Sequence, residues 1–121
     1  MLRMHELSIA ESVIRVAGAH AGGRRVRRVE MRIGHLRQVV PSALEFAFEL
    51  ASAGTAMEGA ELVIEHVPAA GRCRACRAET TLLNFPLCCA ACGGLDIEVV
   101  AGEELVVDAL ELEGQTATTE A

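Results

Sequence analysis

The chain contains no lysine, no tryptophan and no tyrosine, and its phenyl rings are confined to Phe46, Phe48 and Phe85. Aliphatic residues must therefore fill the core, and the aromatic platforms on which unpaired nucleobases stack are missing. A formal charge of −6 also argues against a general nucleic-acid binder, whose footprint is positive. No apolar run reaches the roughly eighteen residues that a membrane-crossing helix needs, so no membrane partner is expected. The opening Met1-Leu2-Arg3-Met4-His5-Glu6 has an acidic residue early and no long apolar stretch with a cleavage site. It does not read as a secretory signal. The expected compartment is the cytoplasm, where five cysteines stay reduced and serve metal rather than disulfides.

What is present is a short, apolar, arginine-only chain. Its 121 residues have room for one domain, or for one domain carrying a small metal-held module, and 51% of them are hydrophobic. All eleven basic residues are arginine, and seven of them cluster as Arg24, Arg25, Arg27, Arg28 and as Arg72, Arg74, Arg77. These clusters read as a solvated strand edge and a surround for thiolates before they read as a binding patch.

The apolar pattern switches period along the chain. Leu7, Ala10, Ile14 and Ala17, with Val13 and Val16 beside them, make a helical stripe that ends at Gly22-Gly23. Ser8 with Glu11 is a candidate capping box, although the helix could begin a turn earlier. Arg28 to Ile33 alternates as a half-buried strand does, closed by Gly34. Pro41 suits a first helical turn; Leu44, Ala47, Phe48 and Ala51 continue an amphipathic helix to Gly54. Glu61 to Val67 alternates again, Pro68-Ala69-Ala70-Gly71 breaks it, and Ile97 to Val100 and Leu105 to Leu112 read as strands. The last of these is mixed enough to be paired on both sides. Gly114 to Ala121 is small and polar and is expected to be a disordered tail. The expected fold is α+β: a small three-stranded sheet with two helices, plus an inserted zinc-ribbon-like module.

That module holds the sharpest chemical signal. Cys73-Arg74-Ala75-Cys76 and Cys89-Ala90-Ala91-Cys92 are two C-x-x-C pairs separated by twelve residues. Each pair can aim two sulfurs at one ion, and two pairs close a tetrahedral thiolate cage suited to zinc. Two disulfides would need an oxidising compartment. Cys88 offers a less regular pairing with Cys92, but Cys89-x-x-Cys92 followed by Gly93 makes the tight knuckle that points N–H groups at sulfur. Cys88 is then a spare thiol, either packed or exposed. Four thiolates leave zinc no open position for catalysis, so the module reads as a folding staple. No Ser-His-Asp or Cys-His arrangement is legible and H-E-x-x-H is absent. On chemistry alone, His5 is an idle, solvated histidine, and the chain is not an enzyme.

Several separate motifs carry a family resemblance. Met4-His5-Glu6-Leu7-Ser8, Ile33-Gly34-His35-Leu36, Ala43-Leu44-Glu45-Phe46-Ala47-Phe48, Glu58-Gly59-Ala60, the two C-x-x-C pairs and Gly102-Glu103-Glu104-Leu105 stand in the order found in the HypA/HybF nickel metallochaperones. The chain resembles that family from Met4 to about Glu113. The resemblance implies a nickel-binding α/β domain over residues 1–68 and 103–113, with a zinc domain over 69–102 inserted in it and residues 114–121 as a tail. It implies Ni(II) cargo held by His5 with nearby backbone nitrogens, Glu6 supporting the site and Met4 a backbone neighbour. Imidazole beside peptide nitrogens suits Ni(II). The implied partners are a nickel-insertion GTPase and the large subunit of a [NiFe]-hydrogenase, with urease as a second client. Arg77 stands where the family's first knuckle has glycine and Ala90 where its second has proline. His35 reads as a satisfied surface residue. An amine directly on Met4 would chelate nickel with His5, so a chain beginning at Met4 is expected to bind it more tightly. The competing readings are a zinc-ribbon module that binds nucleic acid or a protein assembly, and a zinc hydrolase, which the four thiolates deny.

Overall fold

The computed structural model describes residues 4–114 and 118–120. The elements run α1 (Met4–Ala21), β1 (Val26–Gly34), a short 3₁₀ turn (His35–Arg37), α2 (Pro41–Ser52), β2 (Glu61–Val67), β3 (Ala70–Cys73), β4 (Glu79–Thr81), β5 (Ile97–Ala101), β6 (Leu105–Leu112) and β7 (Thr118–Glu120). One sheet has the order β2-β1-β6-β7 and the other β4-β3-β5. The fold is α+β, with both helices where the periodicity puts them and the module between β2 and β6.

α1 differs in detail from its expected form. It starts at Met4, so Ser8 lies inside the helix, exposed, and caps nothing. The buried stripe is Glu6, Ala10, Val13, Ala17 and Ala21, with Ile9 beside it, while Val16 is exposed. The helix is thus rotated so that a carboxylate sits in the interior. Glu6 Oε2 accepts a hydrogen bond from the Val40 N–H at 3.1 Å, and Val40 is the residue that begins α2. A buried acceptor in the first turn explains both the earlier start and the rotation. Gly22 and Gly23 stop the helix with φ of 61° and 83°, values a side chain tolerates poorly.

α2 has Pro41 in its first turn and buries Leu44, Ala47, Phe48 and Ser52 along one stripe. Along β1, Val29, Met31 and Ile33 alternate inward. In β6, Val107 is buried and then Leu110 and Leu112, so the alternation slips by one residue between them. That slip brings both Asp108 and Glu111 to the outer face. There Arg32 meets Asp108 at 2.6 Å, and Arg28 meets Glu111 at 2.5 Å and Glu30 at 3.7 Å. Arg27 reaches Glu111, and Arg25 reaches Glu113 and the Glu58 carbonyl. Arg25, Arg27 and Arg28 of the first arginine cluster are therefore held in ion pairs, which at such exposed positions add little stability. Phe48 is the one buried phenyl ring; Phe46 and Phe85 are exposed, so the core is aliphatic as the composition requires.

Three strands were not expected. β7 pairs antiparallel with β6, Leu110 facing Thr119, so residues 118–120 form a strand where a disordered tail is expected. β-branched Thr118 and Thr119 suit an extended backbone and the outer edge of β6 is there to pair with. Residues 115–117 and 121 of that expected tail lie outside the described residues. β3 and β4 pair through Ala70 with Thr81 and Arg72 with Glu79. β3 follows directly on Pro68 and Ala69. It contains Gly71 because a side chain there would collide with Ile97 of β5.

The chain divides into two compact units. One comprises Met1–Arg32, Val39–Glu65 and Val106–Ala121; the other comprises Ile33–Gln38 and His66–Leu105. In the second unit the chain after β1 is tied down by Gly34 N–H to the Glu104 carbonyl at 2.7 Å and Leu36 N–H to the Gly102 carbonyl at 2.8 Å. Gly34 permits that approach, since a Cβ would strike the Gly102 carbonyl.

Candidate metal centre

Two knuckles of nearly identical geometry build the sulfur cluster. In the first, β3 delivers Cys73, whose N–H donates to the Ala78 carbonyl at 2.9 Å, while the Arg77 N–H donates to the Cys73 carbonyl at 2.8 Å. In the second, the Cys89 N–H donates to the Gly94 carbonyl at 2.8 Å and the Gly93 N–H to the Cys89 carbonyl at 2.9 Å. Both turns need a left-handed residue directly after the second cysteine. Gly93 supplies it at φ 75°, and Arg77 adopts it at φ 67°. The departure at Arg77 therefore leaves the turn intact and forces an arginine into a conformation that suits glycine.

The sulfurs of Cys73, Cys76, Cys89 and Cys92 all lie within 4.8 Å of one another. Cys73 and Cys92 are 3.7 Å apart, and Cys76 and Cys89 are 3.5 Å apart. A tetrahedral ion with bonds of roughly 2.3 Å has sulfur–sulfur edges of roughly 3.8 Å, and a disulfide would need roughly 2.0 Å. The spacing fits an ion and not a disulfide. Cys73 and Cys89 are buried, Cys76 and Cys92 are exposed, and Cys88 is exposed and outside the cluster. Among the described residues this is the one group of three or more histidine, cysteine and acidic donors that could share an ion.

Backbone N–H groups aim at the sulfurs: Ala91 at 3.3 Å and Cys92 at 3.4 Å to Cys89, and Gly94 at 3.4 Å to Cys92. The Cys92 amide, helped by that of Ala91, draws the Cys89 thiol down to about 7. The Cys76 and Ala75 amides lower Cys73 in the same way. The Ala78 amide pulls on Cys76, yet its neighbours Cys89, Cys92 and Cys73 push it up to about 11. Cys92 is raised too, since Cys73 and Cys89 outweigh the pull of the Gly94 amide. One thiol of each knuckle ionises readily and the other resists. Four thiolates this close coexist only around a cation.

Two of the three arginines of the second cluster are engaged in ion pairs. Arg72 pairs with Glu79 at 3.3 Å and Arg74 with Asp96 at 2.8 Å.

The amino-terminal residues are arranged differently. His5 is exposed on the first turn of α1, while Glu6, one residue on, points inward to Val40. Their side chains diverge, and the Met4 side chain lies outside the described residues. The first-turn peptide N–H groups beside His5 have no acceptor within the helix. His20 is exposed in the last turn of α1. His35 Nε2 is 3.0 Å from the Leu83 carbonyl, and its ring lies edge-on to that of His66 at 6.4 Å. Burial of Glu6 was legible only as a place in the stripe it shares with Ala10, Val13 and Ala17.

A family profile described as "Hydrogenase/urease nickel incorporation, metallochaperone, hypA" matches residues 4–112. The chain is similar to the hydrogenase maturation factor HypA of Geotalea uraniireducens, with 50% identity over 110 residues, 91% of this chain and 100% of the relative. The corresponding factor of a Nostoc species is 38% identical over 91% of this chain and 96% of its own. Among solved structures, the solution structure of the Ni metallochaperone HypA from Helicobacter pylori has a TM-score of 0.60. It is 21% identical and covers 97% of each chain, a likeness of fold.

Proposed function

The chain belongs to the HypA family of hydrogenase and urease nickel-incorporation metallochaperones, not to a family of enzymes, and on that footing we propose how its residues divide the work. Ni(II) is cargo, taken up at His5 on the first turn of α1. The carrying observation is that His5 is exposed beside peptide nitrogens that the helix leaves without acceptors. Imidazole and peptide nitrogen are the donors Ni(II) prefers. Glu6 supports this site from behind: its buried carboxylate holds the turn against the start of α2. A site with few donors on the surface can release its ion to an acceptor.

Cys73, Cys76, Cys89 and Cys92 hold one structural zinc. Bound there, zinc supplies charge that keeps four thiolates together, and the closed thiolate shell leaves no position for substrate. The protein works in the cytoplasm, hands nickel on with a nickel-insertion GTPase, and serves the large subunit of a [NiFe]-hydrogenase, with urease as a second client. Among the described residues, no helix is long and apolar enough to cross a membrane.

His5→Ala is expected to abolish stoichiometric nickel binding in calorimetric titration while zinc stays near one per chain. The two sites use different donors, so each can be lost without the other. Equal nickel affinity in both proteins would move the site to His20, His35 or His66.

A further inference from the structure

The motif Ala43 to Phe48 on α2 is only half explained by packing. Leu44, Ala47 and Phe48 are buried, yet Phe46 is 51% exposed and Leu50, one turn on, 52% exposed. On another face of α2, an open groove of about 390 Å³ lies between that helix and the start of β2. Phe48, Ser52, Gly59, Ala60 and Leu62 line it, with Glu45 and Glu49 along its helix wall. Among the described residues, β2 is the outer strand of its sheet, with β1 as its one neighbour. An outer strand turns alternate N–H and C=O groups away from the sheet, ready to pair with another chain.

Charge says what kind of chain. Leu62 faces the groove, so Glu61, Val63 and Glu65 lie on the opposite face of β2. A segment laid along this edge would have Glu45 and Glu49 on one side and Glu61 and Glu65 on the other. Arg28 pairs with Glu111 and Glu30 and is also attracted by Glu61, Arg32 pairs with Asp108, and Arg25 with Glu113. No ion pair among the described residues neutralises Glu45, Glu49 or Glu65. Both flanks of the open edge are acidic, and the floor between them is apolar.

We propose that β2 and the groove beside α2 form a docking edge for an extended segment of a partner protein in which arginine or lysine alternates with aliphatic residues. The segment adds as a further strand on β2. Main-chain bonds provide affinity, apolar side chains enter the groove against Phe48 and Leu62, and cations meet the glutamates. A second copy of this chain fits poorly, because its own edge carries the same negative charge. This surface uses neither the sulfur cluster nor His5, so it stands whatever becomes of the metal assignments.

The test uses the full chain and a peptide of about ten residues alternating arginine with valine, long enough to span an ordinary strand. Saturable binding is expected by calorimetry, weakening with added salt. The exposed pair of changes Glu45→Gln and Glu49→Gln is expected to weaken it about tenfold without altering the thermal melt. Amide exchange at Leu62 to Glu65 is expected to slow on binding, and methylation of alternate peptide nitrogens to abolish the effect. Equal binding of a glutamate–valine peptide, undiminished affinity in the double variant, or no protection in β2 would overturn the proposal. Protection of β2 that appears without peptide and grows with protein concentration would also overturn it, in favour of self-association.

Discussion

The two compact units are held together by different means. In the first, Ile9, Ala10, Val13, Ala17, Val29, Met31, Leu44, Ala47, Phe48, Leu110 and Leu112 build a continuous aliphatic interior. In the second, the buried hydrophobic residues are Ile33, Ala69, Leu82 and two cysteines, Cys73 and Cys89. Its larger apolar side chains face outward instead: Leu83, Phe85 and Leu95 are all more than half exposed. A unit this small cannot bury enough surface to stand on apolar contact alone. Its interior is a sulfur cluster whose four donors could hold a metal ion.

The sharpest way to break that contrast is to take away one sulfur. A structural zinc contributes on the order of 10 kcal/mol to the folding of a small module. Cys89→Ser is therefore expected to unfold the second unit, with β3, β4 and β5 losing slow-exchanging amides while α1, α2 and β1 keep theirs. Cys88→Ser should leave zinc near one per chain. Metal lost from the Cys88 variant and kept by the Cys89 variant would reverse the ligand assignment.

The converse change strikes the aliphatic interior. Leu44 is fully buried in α2, and Leu44→Ala is expected to cost about 3 kcal/mol, read as a lower urea midpoint for the first unit. Zinc content should not change. A variant that lost its zinc as well would show that the units do not fold independently.

A smaller effect compares the two knuckles. Arg77 and Gly93 hold equivalent left-handed positions, and only one is glycine. Arg77→Gly is expected to stabilise the first knuckle by about 1 kcal/mol, seen as slower zinc loss to a competing chelator. Unchanged release would mean that Arg77 makes a compensating contact.

The parts legible in the sequence were those with a short-range cause. Periodicity placed α1, α2, β1, β2 and β6 because each has a repeating face, and C-x-x-C spacing grouped four sulfurs that lie together because a knuckle is local. β3 and β4 escaped because three- and four-residue strands have no period of their own; β3 is made by pairing with β5, and β4 by pairing with β3. The inward turn of Glu6 escaped because its partner, Val40 N–H, is thirty-four residues away. Periodicity alone treats a carboxylate as solvent-facing. The left-handed Arg77 could have been inferred from the second knuckle, where Gly93 marks the same place.

The burial pattern within the sulfur cluster gives it a front and a back. Cys73 and Cys89, the leading residue of each knuckle, are enclosed, whereas Cys76 and Cys92 face water. An incoming thiol, chelator or oxidant therefore arrives on one side only and exchanges first with Cys76 or Cys92. With an ion bound there, Cys73 and Cys89 would be the donors a competitor reaches last, so loss of the ion would be stepwise and directional.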